Sequence, residues 1–403
     1  MLFCCVFVLI LGNSGAITAN YWLSEVYDDE IAKAHRNCDI HIHDLSMLTG
    51  YCAGWSLKQL ITEGLGGVPG KITSKPASHL STLCNQMTNF LGIMQNEWAG
   101  AQAFSSFDTY LAPFVKIDNL SYGQVKQCIQ SFIYGVNTPS RWGTQAPFTN
   151  ITLDWLVPND LAELNAIVGG KECDFKYKDC QKEMDMVNKA FIETMIEGDA
   201  NGRGFQYPIP TYSITKDFDW KETENNKLLF EMTAKYGTPY FSNYINSDME
   251  PSDVRSMCCR LRLDLRELRK KSGGFFGSGE STGSVGVVTI NMPRIAYLSA
   301  NKDDFYKRLN KMMDIAARSL KIKRGVISRL LNEGLYPYTR KYLGSFDNHF
   351  STIGLIGMNE VGLNANWLRA DMSNARTQEF TQEVLNHMRK RLSDYQEQYG
   401  DLY

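Results

Sequence analysis

Short β-branched runs alternate with amphipathic helical stretches along almost the whole chain, and this alternation limits the fold more than any other feature. Phe148–Leu153, Gln206–Tyr212 and, most clearly, Ser284–Asn291 read as strands. Tyr21–Asn37, Ala77–Gln102, Tyr122–Gly135, Lys302–Glu333 and Ala375–Gly400 carry helical spacing. The Gly- and Pro-containing loop Thr62–Pro76 separates the first unit from the next helix, and the charged segment Gly169–Lys182 reads as a surface excursion. With no internal repeat and no low-complexity linker, the pattern predicts a single large α/β domain. At 403 residues and 43% hydrophobic, the chain has enough apolar surface for it.

Charge narrows the partners. The 42 basic and 44 acidic residues leave −2, so no electrostatic footprint points to nucleic acid or to an anionic membrane. Ten cysteines without one C-x-x-C pair argue for reduced thiols in a cytoplasm and against a zinc ribbon. The opening MLFCCVFVLILG resembles a signal-peptide core, with Asn13–Ala16 mimicking a cleavage site, but no basic residue precedes it. It is also shorter than the roughly 20 residues a bilayer span needs. It reads as a buried strand or a misassigned start.

Four segments could carry chemistry. Cys258-Cys259 lies among arginines that would stabilise a thiolate, although spacing alone favours two packing cysteines. His41 and His43 fall on one side of a strand because side chains alternate with period two. A metal-dependent hydrolase would need further ligands, and His35, His79, His349 and His387 form no recognisable ligand pair, so a polar strand end near a pocket is the alternative. Gly273–Gly286 lacks the G-K-[ST] ending of a phosphate loop and runs into a strand. Ser351-Thr352-Ile353-Gly354, leading towards a helix at Met358, offers hydroxyls and backbone N–H groups for an anion, or an ordinary cap. The basic residues of Lys302–Glu333 read as a solvated face.

Taken together, His41-Ile-His-Asp-Leu45 followed by Cys52, Phe107-Asp-Thr-Tyr-Leu-Ala-Pro-Phe114, Val136-Asn-Thr138 with Gln145-Ala-Pro-Phe148, Met257-Cys-Cys-Arg260, Gly286-Val-Val-Thr-Ile-Asn-Met-Pro-Arg294 and Ile353-Gly-Leu-Ile-Gly-Met-Asn-Glu360 resemble the anaerobic, class III ribonucleoside-triphosphate reductases, which are glycyl radical enzymes. The motifs stand in the family's order from about Ala19 onward. The resemblance implies a ten-stranded α/β barrel of two parallel half-sheets with a central finger loop. It divides the chain into residues 1–18, an atypical apolar start, and residues 19–403, a catalytic barrel domain cut short at its carboxyl end. Met257 to Arg260 match the finger-loop tip, which implies that Cys259 becomes the thiyl radical abstracting hydrogen at C3′. Cys52 would serve the reduction on the other face of the ribose, with His41 and His43 as polar neighbours of the substrate and Ser351, Thr352 and Gly354 as a cradle for its phosphates.

The same resemblance implies a ribonucleoside triphosphate substrate, nucleotide effectors, a homodimer, and a radical-SAM activase that carries the S-adenosylmethionine and iron–sulfur cluster. The product would feed DNA replication. Ser284 followed by Val285 stands where the formate-using branch has Asn, which leaves formate or a thiol redoxin as the reductant. The 403 residues hold no R-V-x-G-Y glycyl radical motif, no C-x-x-C pairs for the family's structural zinc, and no N-terminal regulatory domain. The expectation is therefore that this chain alone does not turn over. A glycyl radical acyltransferase or lyase, which also carries a Cys-Cys finger loop, and a non-catalytic nucleotide-binding remnant are the alternatives.

Overall fold

The computed structural model describes residues 2–140, 145–247 and 281–403. Among them, ten strands appear in chain order: β1 (Ile40–Ile42), β2 (Cys52–Trp55), β3 (Gln102–Phe104), β4 (Thr149–Leu153), β5 (Asn165–Val168), β6 (Lys171–Lys176), β7 (Ile209–Ile214), β8 (Tyr240–Asn243), β9 (Gly283–Asn291) and β10 (His349–Ile356). The chain divides into two compact units. The first comprises Met1–Tyr51, Gly283–Tyr336 and Gly344–Tyr403, the second Cys52–Thr282 and Pro337–Leu343.

In the first unit β9 is central. β1 pairs with it antiparallel, and β10 pairs with it in parallel. The register slips once, between Phe350 and Ser351, where β9 carries the extra residue Val285. One face of these strands is covered by the helix Lys302–Asn332, against which the helix Ala375–Tyr399 packs, and the shared core includes Val288, Ile290, Leu309, Met313, Leu320, Phe380 and Val384. The longer helix starts where Asn301 accepts a hydrogen bond from the Asp304 N–H at 2.9 Å. It crosses β9 at Gly286, where a Cβ would come within 2.9 Å of Lys323 Cδ, so the stem of that buried lysine fills the space of the missing side chain.

In the second unit β2, β3, β4, β7 and β8 lie side by side, all parallel. Parallel neighbours need crossovers, and the helices between Leu57 and Tyr236 supply them. β5 and β6 form a separate antiparallel hairpin closed by Gly169 and Gly170 at φ 62° and 74°, as a two-residue turn with φ above zero requires. This hairpin is the surface excursion expected from its charge.

Several expectations change. The apolar start is an α-helix, Leu2–Tyr21, not a strand; a run apolar on every side carries no period to tell the two apart. Tyr21–Asn37 is interrupted by a π-helical turn at Trp22–Val26 before Asp28 caps Asp29–Arg36. The Ala77–Gln102 helix shrinks to Leu80–Met94. Among the basic residues of Lys302–Asn332, Lys323 and Arg324 are buried, not solvated. The elements establish a mixed α/β fold; a closed ten-stranded barrel is not shown by them. Among the described residues, no helix is long and apolar enough to cross a membrane.

Candidate active site

Strand β1 is short because left-handed residues bound it, Cys38 at φ 60° and Asp44 at φ 55°. Its Ile40 and Ile42 are buried in the core, which by alternation sends His41 outwards. Its start is tied to the end of β9: Asn291 Nδ2 donates to Cys38 O at 2.9 Å and Arg294 Nε to Asp39 Oδ1 at 2.7 Å. The rings of His41 and His43 meet edge to face with centroids 4.6 Å apart, and His35 lies 5.4 Å from His41. His35 Nδ1 accepts the Ile42 N–H at 3.2 Å, and burial, with His41 beside it, holds its pKa below the usual histidine value.

The paired strands extend this polar face. His41 is opposite Thr289 on β9, and Thr289 is opposite Gly354 on β10. His43 Nε2 lies 2.8 Å from Thr289 Oγ1. With no side chain at Gly354, the row from His41 across Thr289 stays open. Two residues earlier on β10, Thr352 is opposite Val287, and its hydroxyl is 2.9 Å from that of Ser284. Because Ser284 Oγ donates to Gly286 O at 3.0 Å, the proton between the two hydroxyls comes from Thr352. His41, His43, Ser284, Thr352 and Gly354, all singled out in the sequence, therefore gather on one side of one sheet.

Ser351 does not join them. It is buried on the helix-covered face, where its hydroxyl accepts from Arg324 Nη2 at 3.2 Å. The segment expected to form an anion cradle at a helix start is instead strand β10, and the helix begins only at Met358 after Gly357 at φ 81°. Two β-branched residues in a row extend the chain, and only the second glycine turns it. Arg324 also donates to Phe346 O at 2.8 Å and His349 O at 2.6 Å, so it fixes the entry to β10. Thr289 and Arg324 escaped the sequence reading. Period-two alternation from Val287 could have found Thr289; nothing in the sequence separated Arg324 from its solvated neighbours.

Cys52 is fully buried at the first position of β2 in the second unit. Met257, Cys258 and Cys259 lie outside the described residues. That unit also holds a cavity of about 370 Å³ at the carboxyl ends of β4 and β7, lined by Asp154, Ser213, Thr215, Lys216 and Asp217 among others. Behind Asp154 is the fully buried Asp108, which accepts from the N–H groups of Thr109, Asp154 and Trp155 and from Asn188 Nδ2 at 2.8–3.1 Å. Burial raises the Asp108 pKa, and these four donors oppose the rise. Among the described residues, no group of three or more His, Cys, Asp or Glu is placed to hold a metal ion.

Residues 7–403 match the family model for anaerobic ribonucleoside-triphosphate reductase. The chain belongs to this family. Two anaerobic ribonucleoside-triphosphate reductases are similar over long stretches. That of Haemophilus influenzae is 22% identical over 350 residues, and that of enterobacteria phage T4 is 24% identical over 392. The alignments cover 79% and 83% of this chain but only 45% and 59% of the relatives, so the chain spans about half the length of the reductases it matches. The fold resembles the solved anaerobic ribonucleotide reductase of Thermotoga maritima. The structure with citrate in the active site matches with a TM-score of 0.74 at 22% identity, over 97% of this chain and 72% of that one. The structure in complex with dATP and CTP matches with a TM-score of 0.73 at 21% identity, over 99% and 68%.

Proposed function

We propose that this chain forms the catalytic core of an anaerobic reductase that converts ribonucleoside triphosphates to 2′-deoxyribonucleoside triphosphates by thiyl radical chemistry. The observation that carries the reading is the family match through residues 7–403, which takes in both Cys52 and Cys259. In this reading the strands other than the β5–β6 hairpin belong to a ten-stranded barrel, and the open face of β1, β9 and β10 meets the substrate.

Removing the 2′-hydroxyl needs hydrogen abstraction on one face of the sugar and reduction on the other, which two cysteines distant in sequence can supply from a rigid scaffold. Cys259, as a thiyl, takes hydrogen from C3′: an S–H bond forms as the C–H bond breaks. The 2′-oxygen leaves as water after gaining a proton. Two electrons enter from formate, released as carbon dioxide, or from a thiol pair, released as a disulfide, and with a second proton they form the C2′–H bond in place of the broken C2′–O bond, with Cys52 serving that step. Cys259 then returns hydrogen to C3′. His41, His43, Thr289 and Thr352 present hydrogen-bonding groups to the sugar and phosphates; the side chain of Ser351, facing the helices, supports β10 through Arg324. A glycyl radical in an R-V-x-G-Y segment would supply the unpaired electron, and none of the 32 glycines here has that context. Effectors, a radical-SAM activase and a second copy of the chain complete the proposed assembly.

The test uses the chain completed in cis with such a segment. Cys259→Ala should abolish deoxynucleotide formation while the glycyl doublet still appears by electron paramagnetic resonance, and Cys258→Ala should be much milder. Equal losses from the two changes, or activity retained by Cys259→Ala, would reject the assignment.

A further inference from the structure

Gln102, the first residue of β3, is polar and fully buried. Both ends of its amide are engaged. Oε1 accepts the Trp55 indole N–H at 2.6 Å, and Nε2 donates to Gly100 O and Ala101 O, each at 3.1 Å. An indole nitrogen only donates and a carbonyl oxygen only accepts, so these partners admit one orientation of the amide, and neither a carboxylate nor an apolar side chain reproduces it. The same Ala101 O also accepts the N–H of Ala53, the residue after Cys52, at 3.2 Å.

Register connects this amide to the thiol. Ala53 is opposite Gln102 and Trp55 is opposite Phe104 in a parallel pair, so these four side chains share one face of the sheet. That face is packed: the Trp55 ring meets Phe90 and Trp98 edge to face, with centroids 5.4 and 5.9 Å away. By alternation Cys52 and Gly54 belong to the other face. A slip of one residue would exchange the faces and turn the thiol towards the aromatic rings. β2 is only four residues long, and Cys52-Ala-Gly54 offers little side-chain volume to resist such a slip. The bond from Trp55 to Gln102 resists it at the far end of the strand.

We propose that Gln102 is a positioning residue for Cys52: held to Trp55 at one end and to Ala101 O at the other, it fixes the register of β2 and therefore the face on which the thiol stands. The inference rests on the assignment of the reduction step to Cys52.

The test uses the completed chain of the preceding section with Gln102→Met, which leaves the indole N–H without its acceptor, and Gln102→Asn, whose amide is one methylene too short to reach it. In both, kcat for deoxynucleotide formation should fall about 100-fold, with KM unchanged and the glycyl doublet at full intensity. Ile129→Val, in the buried core of the helix Tyr122–Asn137, is the control for stability alone and should lower Tm while keeping kcat. Register is read separately by hydrogen exchange in the 403-residue chain. The Ala53 amide should exchange about 10-fold faster in both Gln102 variants, while the Tyr244 amide, which donates to Ile214 O at the β8 end of the sheet, should not change. Full kcat in either Gln102 variant, an equal loss in Ile129→Val, or unchanged Ala53 exchange would overturn the proposal. Cys52→Ala separates it from the reading beneath it: activity retained there would remove the role of the cysteine itself, whereas activity lost there and kept in both Gln102 variants would overturn the positioning alone.

Discussion

At the scale of single residues, His349 is the clearest liability. It is fully buried, and burial, with the Arg324 guanidinium adding to it, pushes its pKa down to about 3. The folded protein therefore keeps this imidazole neutral while the unfolded chain protonates it near pH 6.5, so its contribution to stability is complete above that pH and is lost as pH falls towards 3. The effect is worth up to roughly 5 kcal/mol. Thermal melts between pH 7 and pH 4 should show a falling midpoint, and His349→Phe should flatten that slope; an unchanged slope would show that another group causes it. Asp108→Ala should destabilise by about 3–5 kcal/mol in urea titrations, because four buried donors lose their acceptor. Sequence reasoning reached His41 and His43 because a strand's period is two, yet it could not see Asp108 as a hub, since its partners come from positions up to 80 residues away.

At the scale of elements, three regular segments of the second half were legible almost to the residue: Ser284–Asn291 became Gly283–Asn291, Lys302–Glu333 became Lys302–Asn332, and Ala375–Gly400 ended at Tyr399 with Gly400 in the left-handed region. The β10 segment was misread because Ser351–Gly354 was taken as an anion cradle or cap at a helix start, whereas Gly354 lies within the strand and only Gly357 turns. There φ is 81° and an added Cβ would meet the Pro293 ring. Gly357→Ala should therefore cost about 1–3 kcal/mol, measured by chemical unfolding, while Gly354→Ala, whose Cβ finds Thr289 Oγ1 at 3.4 Å, should cost much less. Similar costs at the two sites would contradict this account of the strand-to-helix turn.

At the scale of the whole molecule, family membership was readable because six weak motifs stand in order, although no one of them decides it. The pairing that brings β1, β9 and β10 together was not readable, because β1 and β9 are more than 240 residues apart and only backbone register joins them. Purified protein should carry no stoichiometric zinc or iron dependent on His43, since its Nε2 is engaged with Thr289; one equivalent of metal that His43→Ala removes would revive the hydrolase reading. The contact between Gly286 and Lys323 bears on how such a molecule can change over generations. A larger residue at 286 has to displace a lysine that is itself enclosed, so the two positions form an ordered pair in which shortening 323 opens a path that the reverse order closes. Gly286→Ala alone should cost about 1–3 kcal/mol, and Lys323→Ala should relieve a measurable part of that in a double-mutant cycle. Across distant relatives, residues larger than glycine at this position should then be found in company with shorter side chains at the other.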